Sequence, residues 1–261
     1  MTAHRVAAAS MLALALAGCA APAGSTRDIP TESDQSDAER RARARLELAS
    51  AYFSNGQYTT ALDEVKLALA ARPELAEAFA LRGLIYSALG DERLSEESYR
   101  RAMQLNPRDG DTMHNYGWLL CQHRRYAEAD AQFRAALAVP QYFNAARTLT
   151  AQGICQARAG QWEQAEKTLV RSLELDASNP VTAVNLAEVL YRRGELERAR
   201  FHIRRVNNQN NLVSAQTLWL AMRIEKKLGN QVGVDNIGRD LRSRFPQSRE
   251  AEAFDRGDFD E

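Results

Sequence analysis

The chain predicts an all-α superhelix of about six helix-turn-helix repeats, and three observations carry that expectation. Small residues recur at Ala49, Gly83, Gly117, Gly153 and Ala187, with Met222 in the sixth place, at spacings of 34, 34, 36, 34 and 35. Seven residues after each, glycine recurs at Gly56, Gly90, Gly160, Gly194 and Gly229, and Arg124 replaces it in the third copy. Five further on stands a second small residue at Ala61, Ala129, Ala165 and Ala199, with Ser95 and Val234 substituting. Self-similarity at such a period is the mark of stacked supersecondary units, each burying its apolar face against its neighbours.

Every recurrent position has a mechanical role. The glycine ends the first helix in a left-handed turn. The two small residues let paired helices approach closely, and Val65, Tyr99, Phe133, Leu169 and Ile203 fill the seam between them. Pro73, Pro107 and Pro246 stop second helices, which a proline cannot continue. The repeats then occupy 42–75, 76–109, 110–145, 146–179, 180–214 and 215–248. A period of 34 with small residues at both crossings resembles the tetratricopeptide repeat. That resemblance implies a right-handed superhelix whose first helices line a concave surface. The sixth copy, with Met222 and Gly238 at unusual places, reads as a terminal cap, and the acidic segment 249–261 reads as a frayed tail.

The first 41 residues are of another kind. His4 and Arg5 precede an apolar run from Val6 to Ala17, shorter than the ~18 residues that cross a bilayer. A short basic start, an apolar middle and small residues at a cut site make residues 1–18 a signal peptide. Leu16-Ala17-Gly18-Cys19 resembles a bacterial lipobox, which implies a diacylglycerol on Cys19 and cleavage before it. Several acyl chains hold a protein stably at a membrane without spanning it. By the same resemblance, Ala20 after the lipidated cysteine implies the outer membrane. Residues 19–41, rich in Ser, Asp, Pro and Thr, read as a lipidated start and flexible tether.

Composition and spacing narrow the chemistry. With 34 basic and 34 acidic residues the chain has no net charge, so the electrostatic footprint of nucleic-acid binding is missing. His114, His123 and His202 make no i, i+4 pair of the kind zinc sites use, and the G-x-S-x-G, H-E-x-x-H and phosphate-loop motifs do not occur. The expectation is a protein that is not an enzyme, without metal, cofactor or small-molecule substrate. The abundant Glu and Asp beside Arg read as a solvated face. Cys121 and Cys155 lie in first helices of neighbouring repeats, and two readings stand: a disulfide formed in an oxidising compartment, or two reduced thiols packed as small hydrophobes.

The concave positions of the first helices define a candidate partner-binding groove. Leu46, Phe53, Leu84, His114, Trp118 and Ile154 give the first four repeats a largely apolar strip. Glu188, Tyr191, Trp219, Arg223 and Lys226 make the last two mixed and basic. An apolar groove on a superhelix suits an amphipathic segment of a partner polypeptide.

The third repeat reads His114-Asn115-Tyr116-Gly117-Trp118-Leu119-Leu120-Cys121-Gln122, then Arg125-Tyr126-Ala127-Glu128-Ala129. With Gly153-Ile154-Cys155 in the fourth, this resembles the N-Y-G-x-x-L-C run of the PilF/PilW family of type IV pilus biogenesis and stability lipoproteins. The resemblance implies a lipid-anchored protein on the periplasmic face of the outer membrane. Its partner would be the pilus secretin subunit or another pilus-assembly protein, and its role the secretin's localisation and multimerisation, or stability of the pilus. Two other scaffolds share anchor and architecture: one for outer-membrane protein assembly, and an adaptor for periplasmic cell-wall hydrolases.

Overall fold

A computed structural model describes residues 36–259, and among them every regular element is a helix. Six antiparallel hairpins follow one another: α1 (Asp37–Ser54) with α2 (Tyr58–Ala71), α3 (Ala76–Leu89) with α4 (Glu92–Leu105), α5 (Gly110–Gln122) with α6 (Tyr126–Leu137), α7 (Ala145–Arg158) with α8 (Trp162–Leu175), α9 (Pro180–Arg192) with α10 (Leu196–Asn207), and α11 (Ala215–Lys227) with α12 (Gln231–Arg244). A thirteenth helix, α13 (Arg249–Arg256), closes the stack. Each helix packs on the next, and the first helices also touch one another in the series α1, α3, α5, α7, α9, α11. They therefore form one continuous inner layer, with the second helices outside it. This is a tetratricopeptide superhelix.

Volume matching sets the crossings within each hairpin. A Cβ on Gly83 would stand 2.6 Å from the Tyr99 ring, one on Gly117 would stand 2.9 Å from Phe133, and one on Gly153 would stand 2.6 Å from Leu169. Where the first helix carries alanine instead, the partner is β-branched and carries its bulk close to its own backbone: Ala49 with Val65, and Ala187 with Ile203, all fully buried. The sixth hairpin inverts the arrangement. Met222 fills the small site, Gly238 takes the large one, and the Phe254 ring of α13 lies on that glycine in the space a Cβ would need. Between helices, Gly90 closes α3 in the left-handed region at φ 80°, and Arg124 adopts the same conformation at φ 60° in the third repeat.

Two boundaries differ from expectation. The segment 19–41 was expected to be tether throughout, but α1 begins at Asp37. Asp37 and Glu39 lie in its first turn, where the helix dipole favours them, Glu39 pairs with Arg72 at the end of α2, and Ala42 is fully buried. Alternating Ala and Arg are strong helix formers that supply few large apolar groups, so composition alone reads them as unfolded. Residues 249–259 of the segment 249–261 are not a frayed tail. Ser248 caps α13 by accepting from the Ala251 amide, Ala251 and Ala253 are buried, and Asp255 pairs with Arg242 at 2.5 Å. The proposed signal peptide and Cys19 lie outside the described residues.

Acidic residues expected on a solvated face include three that fasten repeat to repeat. Glu96 on α4 accepts from Arg125 at 2.6 Å and from the Tyr116 hydroxyl at 2.9 Å, and the Arg125 hydrogen bond holds its carboxyl below the usual range despite partial burial. Glu166 on α8 pairs with Arg193 and, at 2.7 Å, with Arg198. Glu225 on α11 is 2% exposed and is met by Arg204 at 2.7 Å, Arg200 at 3.6 Å and the Asn230 amide at 2.8 Å. A buried carboxylate needs such partners, because removing water from an unpaired charge costs several kcal/mol, on the order of 3 or more.

Candidate partner-binding groove

The inner layer opens into a cavity of about 420 Å³ between α3, α5, α7 and α9. Leu84, His114, Trp118 and Ile154, expected from concave helical positions, all line it, joined by Thr150 and Val181. Leu46 and Phe53 do not. They pack against the core of the first hairpin, where the Phe53 ring lies 5.5 Å from that of Tyr58. Leu84 touches both that core and the cluster around Tyr99 and Phe133, so it joins the first hairpin to the groove.

Each wall has a local cause. Asp109 caps α5 by accepting from the Asp111 and Thr112 amides, which fixes the start of the helix that carries His114 and Trp118. His114 is 5% exposed, shares a 2.9 Å hydrogen bond with the Thr148 hydroxyl and meets Phe133 edge-on. Burial, helped by the nearby Arg147 charge, pushes its imidazole down to about 4, so it is a neutral wall at pH 7. Trp118 is partly exposed and carries the Arg158 guanidinium over its ring at 5.1 Å. Ile154 projects from α7 beside it. Val181, 54% exposed, forms the rim at the start of α9, where Pro180 opens the helix and Asn179 caps it. The sequence reading missed Val181, although the same concave spacing finds it once α9 is known to start at Pro180.

Beneath this groove Cys121 of α5 and Cys155 of α7 are joined as a disulfide, with Cα atoms 5.8 Å apart. Both sulfurs sit in the cluster that contains Leu119, Leu120 and Phe133. Toward the other end of the inner layer the lining changes character. Arg223 and Lys227 lie over the Tyr191 ring at 4.7 and 4.2 Å, beside a cleft of about 350 Å³ bounded by Val184 and Trp219. No group of three or more His, Cys, Asp or Glu side chains among the described residues is placed to hold a metal ion. No described helix is long and apolar enough to cross a membrane.

A curved layer of helices with an apolar groove and a basic end defines a tetratricopeptide protein, a class that works by binding other polypeptides. Tetratricopeptide-repeat family models match residues 76–109 and 155–218. The solved structure of PilW, described as a widely conserved type IV pilus biogenesis factor, superposes with a TM-score of 0.77 at 30% identity, covering 82% of this chain and 97% of that one. The type IV pilus assembly protein PilF of Pseudomonas aeruginosa is 26% identical across 96% of this chain and 97% of its own length. A solved structure of P. aeruginosa PilF gives a TM-score of 0.75 at 24% identity, covering 85% and 100% of the two chains. The chain belongs to the PilF/PilW family of type IV pilus biogenesis tetratricopeptide proteins.

Proposed function

We propose that this protein is an outer-membrane-anchored scaffold for type IV pilus biogenesis, tethered through a lipid on Cys19 and facing the periplasm. Its client is the secretin subunit, the ring-forming protein through which the pilus emerges, and its activity is to promote that subunit's localisation and multimerisation. Binding alone suffices for this. A tether at the membrane surface raises the effective concentration of a client by orders of magnitude without any new contact. One observation carries the reading: the likeness to pilus-assembly relatives runs along nearly the whole chain, and the inner layer that it includes presents an apolar groove lined by Leu84, Trp118, Ile154 and Val181. Such a groove takes the apolar face of an amphipathic segment.

The test is complementation of a deletion strain, reading secretin multimers in membrane fractions and pili on the surface. Cys19→Ser is expected to move the protein into the soluble fraction and lower the multimer yield. Leu84→Glu is expected to abolish complementation while the variant still accumulates with wild-type helix content by circular dichroism, at some cost in stability because Leu84 also touches two core clusters. Wild-type multimer levels in the deletion strain would defeat the secretin role. Full complementation by Leu84→Glu would defeat the groove as the docking surface.

A further inference from the structure

The inner face of the sixth repeat is already occupied by the chain's own tail. After Gly257, at φ 70°, the backbone turns back, and the Phe259 ring stacks on Trp219 with centroids 5.3 Å apart and planes 11° from parallel. Lys226 Nζ lies 3.6 Å from the centre of the Phe259 ring, and Phe254 meets that ring edge-on at 6.2 Å. Repeat alignment places Trp219 where His114 stands in the third repeat, and Arg223 where Trp118 stands. Phe259 thus rests on the groove position that a partner side chain would reach further up the stack.

The polar surroundings point to a ligand with negative charge. Arg223 Nε is buried without a hydrogen-bond partner while its guanidinium lies over Tyr191. Among the described residues Arg223, Lys226 and Lys227 make no ion pair, although most other arginines of the last two repeats do. Two carboxylates also face the cleft: Glu188, neutralised by Arg192 at 2.8 Å, and Glu250. Lys226 lies over the ring that stacks on Trp219, while Arg223, which shares a cleft with Trp219, and Lys227 lie over the Tyr191 ring of the preceding repeat. Such a set of unpaired cations beside an aromatic platform complements an aromatic side chain flanked by carboxylates, since the ring face attracts cations and stacks on Trp. The tail itself has that composition, reading Asp258-Phe259-Asp260-Glu261.

We propose that the inner face of the sixth repeat is a second polypeptide-binding site, selective for an aromatic residue flanked by carboxylates. Phe259 fills it as an intramolecular ligand that a partner segment of the same composition displaces. The proposal rests on the reading that the inner layer receives polypeptide, but its test needs no pilus component, so the two stand or fall separately.

The test uses the full chain and a labelled synthetic peptide, acetyl-Gly-Asp-Phe-Asp-Glu, followed by fluorescence anisotropy. A tethered competitor acts at an effective concentration of ~1 mM, so a peptide of Kd ~100 μM is weakened roughly tenfold while Phe259 is in place. Phe259→Ala is therefore expected to bind the peptide about ten times more tightly than the wild type. Adding Lys226→Glu should remove most of that gain, and the same peptide with Ala in place of Phe should not bind. Hydrogen exchange supplies a check that needs no substitution: saturating peptide should deprotect residues 250–259 of the wild-type chain. No binding to the Phe259→Ala chain, equal affinity for wild type and variant, or unchanged protection of the tail would each overturn the proposal and leave Phe259 as a structural cap.

Discussion

Reducing the Cys121–Cys155 bridge should cost this protein about 2–4 kcal/mol of stability while leaving its helices intact. The bond spans a sequence separation of 34. Cross-linking a loop of that length removes about 13 cal/mol/K of entropy from the unfolded chain, worth about 3.8 kcal/mol at 25 °C in the chain-entropy account. In the folded state Cys121 and Cys155 are buried between packed helices, so the two thiols, which must stand further apart than bonded sulfurs, remain small hydrophobes in the same apolar cluster. Residual structure in the enclosed segment, which contains α6, lowers the unfolded-state gain, so the expected loss is about 2–4 kcal/mol against a typical domain stability of about 5–15 kcal/mol. Urea unfolding of oxidised and reduced protein, followed by helical circular dichroism, reads the difference, and thiol titration in denaturant reads the redox state. Because repeat arrays can unfold piecewise, hydrogen exchange in α5 and α7 supplies the local free energy. A loss below about 1 kcal/mol, with the free-thiol count risen by two, would refute the reasoning, because a covalent closure of this length leaves no smaller value without an equally constrained unfolded state.

Two further outcomes follow from single side chains. The His114 imidazole sits at about 4 when folded and near 6.5 when unfolded, so between those values the unfolded chain binds more protons. Stability is therefore full above pH 6.5 and falls as pH drops toward 4, by up to about 3 kcal/mol. His114→Gln should flatten the profile of melting temperature against pH over that window. A residual slope should remain from His202, whose imidazole burial also depresses, and superimposable profiles for variant and wild type would count against the assignment. Gly83→Ala should destabilise by about 1–3 kcal/mol through overpacking, since its Cβ would stand 2.6 Å from the fully buried Tyr99 ring. Tyr99→Ile in the same chain should restore part of that loss by recreating the Ala187–Ile203 crossing, and strict additivity of the two changes in chemical denaturation would contradict the volume-matching account.

The architecture was legible because repeats constrain backbone and volume together. Left-handed turns favour glycine, so Gly56, Gly90, Gly160, Gly194 and Gly229 marked the hairpins directly. Arg124 takes the same turn at φ 60°, with the amides of Arg124 and Arg125 donating to Cys121 and Leu120 as the glycine turns do. Groove residues on α3, α5 and α7 followed from helical spacing, whereas Leu46 and Phe53 were misplaced. Among the described residues no repeat precedes the first hairpin, and its inward side chains pack onto its own core. The inter-repeat carboxylates were invisible for a different reason. Glu166 and Arg193 are 27 residues apart, Glu96 and Arg125 are 29 apart, and nothing local distinguishes them from solvated charges. The tail was misread because α13 is stabilised by what it meets, chiefly the flat surface at Gly238, and not by its own composition.

The two extra residues of the third repeat bear directly on the groove. The loop from α6 to α7 carries them, and Gln141 there adopts φ 58°. The turn lays the Tyr142 ring on Gly110, where a Cβ would be 2.8 Å away, and lets its hydroxyl reach Asp111 at 3.1 Å and Thr148 at 3.0 Å. Asn144 donates to Asp111 at 2.9 Å, and Thr148 in turn holds His114. The start of α5 is thereby fastened to the start of α7 by hydrogen bonds, and the Cys121–Cys155 bond fastens their other ends. Between these two fixings lie Trp118 and Ile154, so the width of the apolar groove is set before any partner arrives. A preformed site spares the ordering cost that binding otherwise imposes on the receptor. The insertion and the bridge are therefore parts of one device, and loosening either should weaken partner binding more than it disturbs helix content.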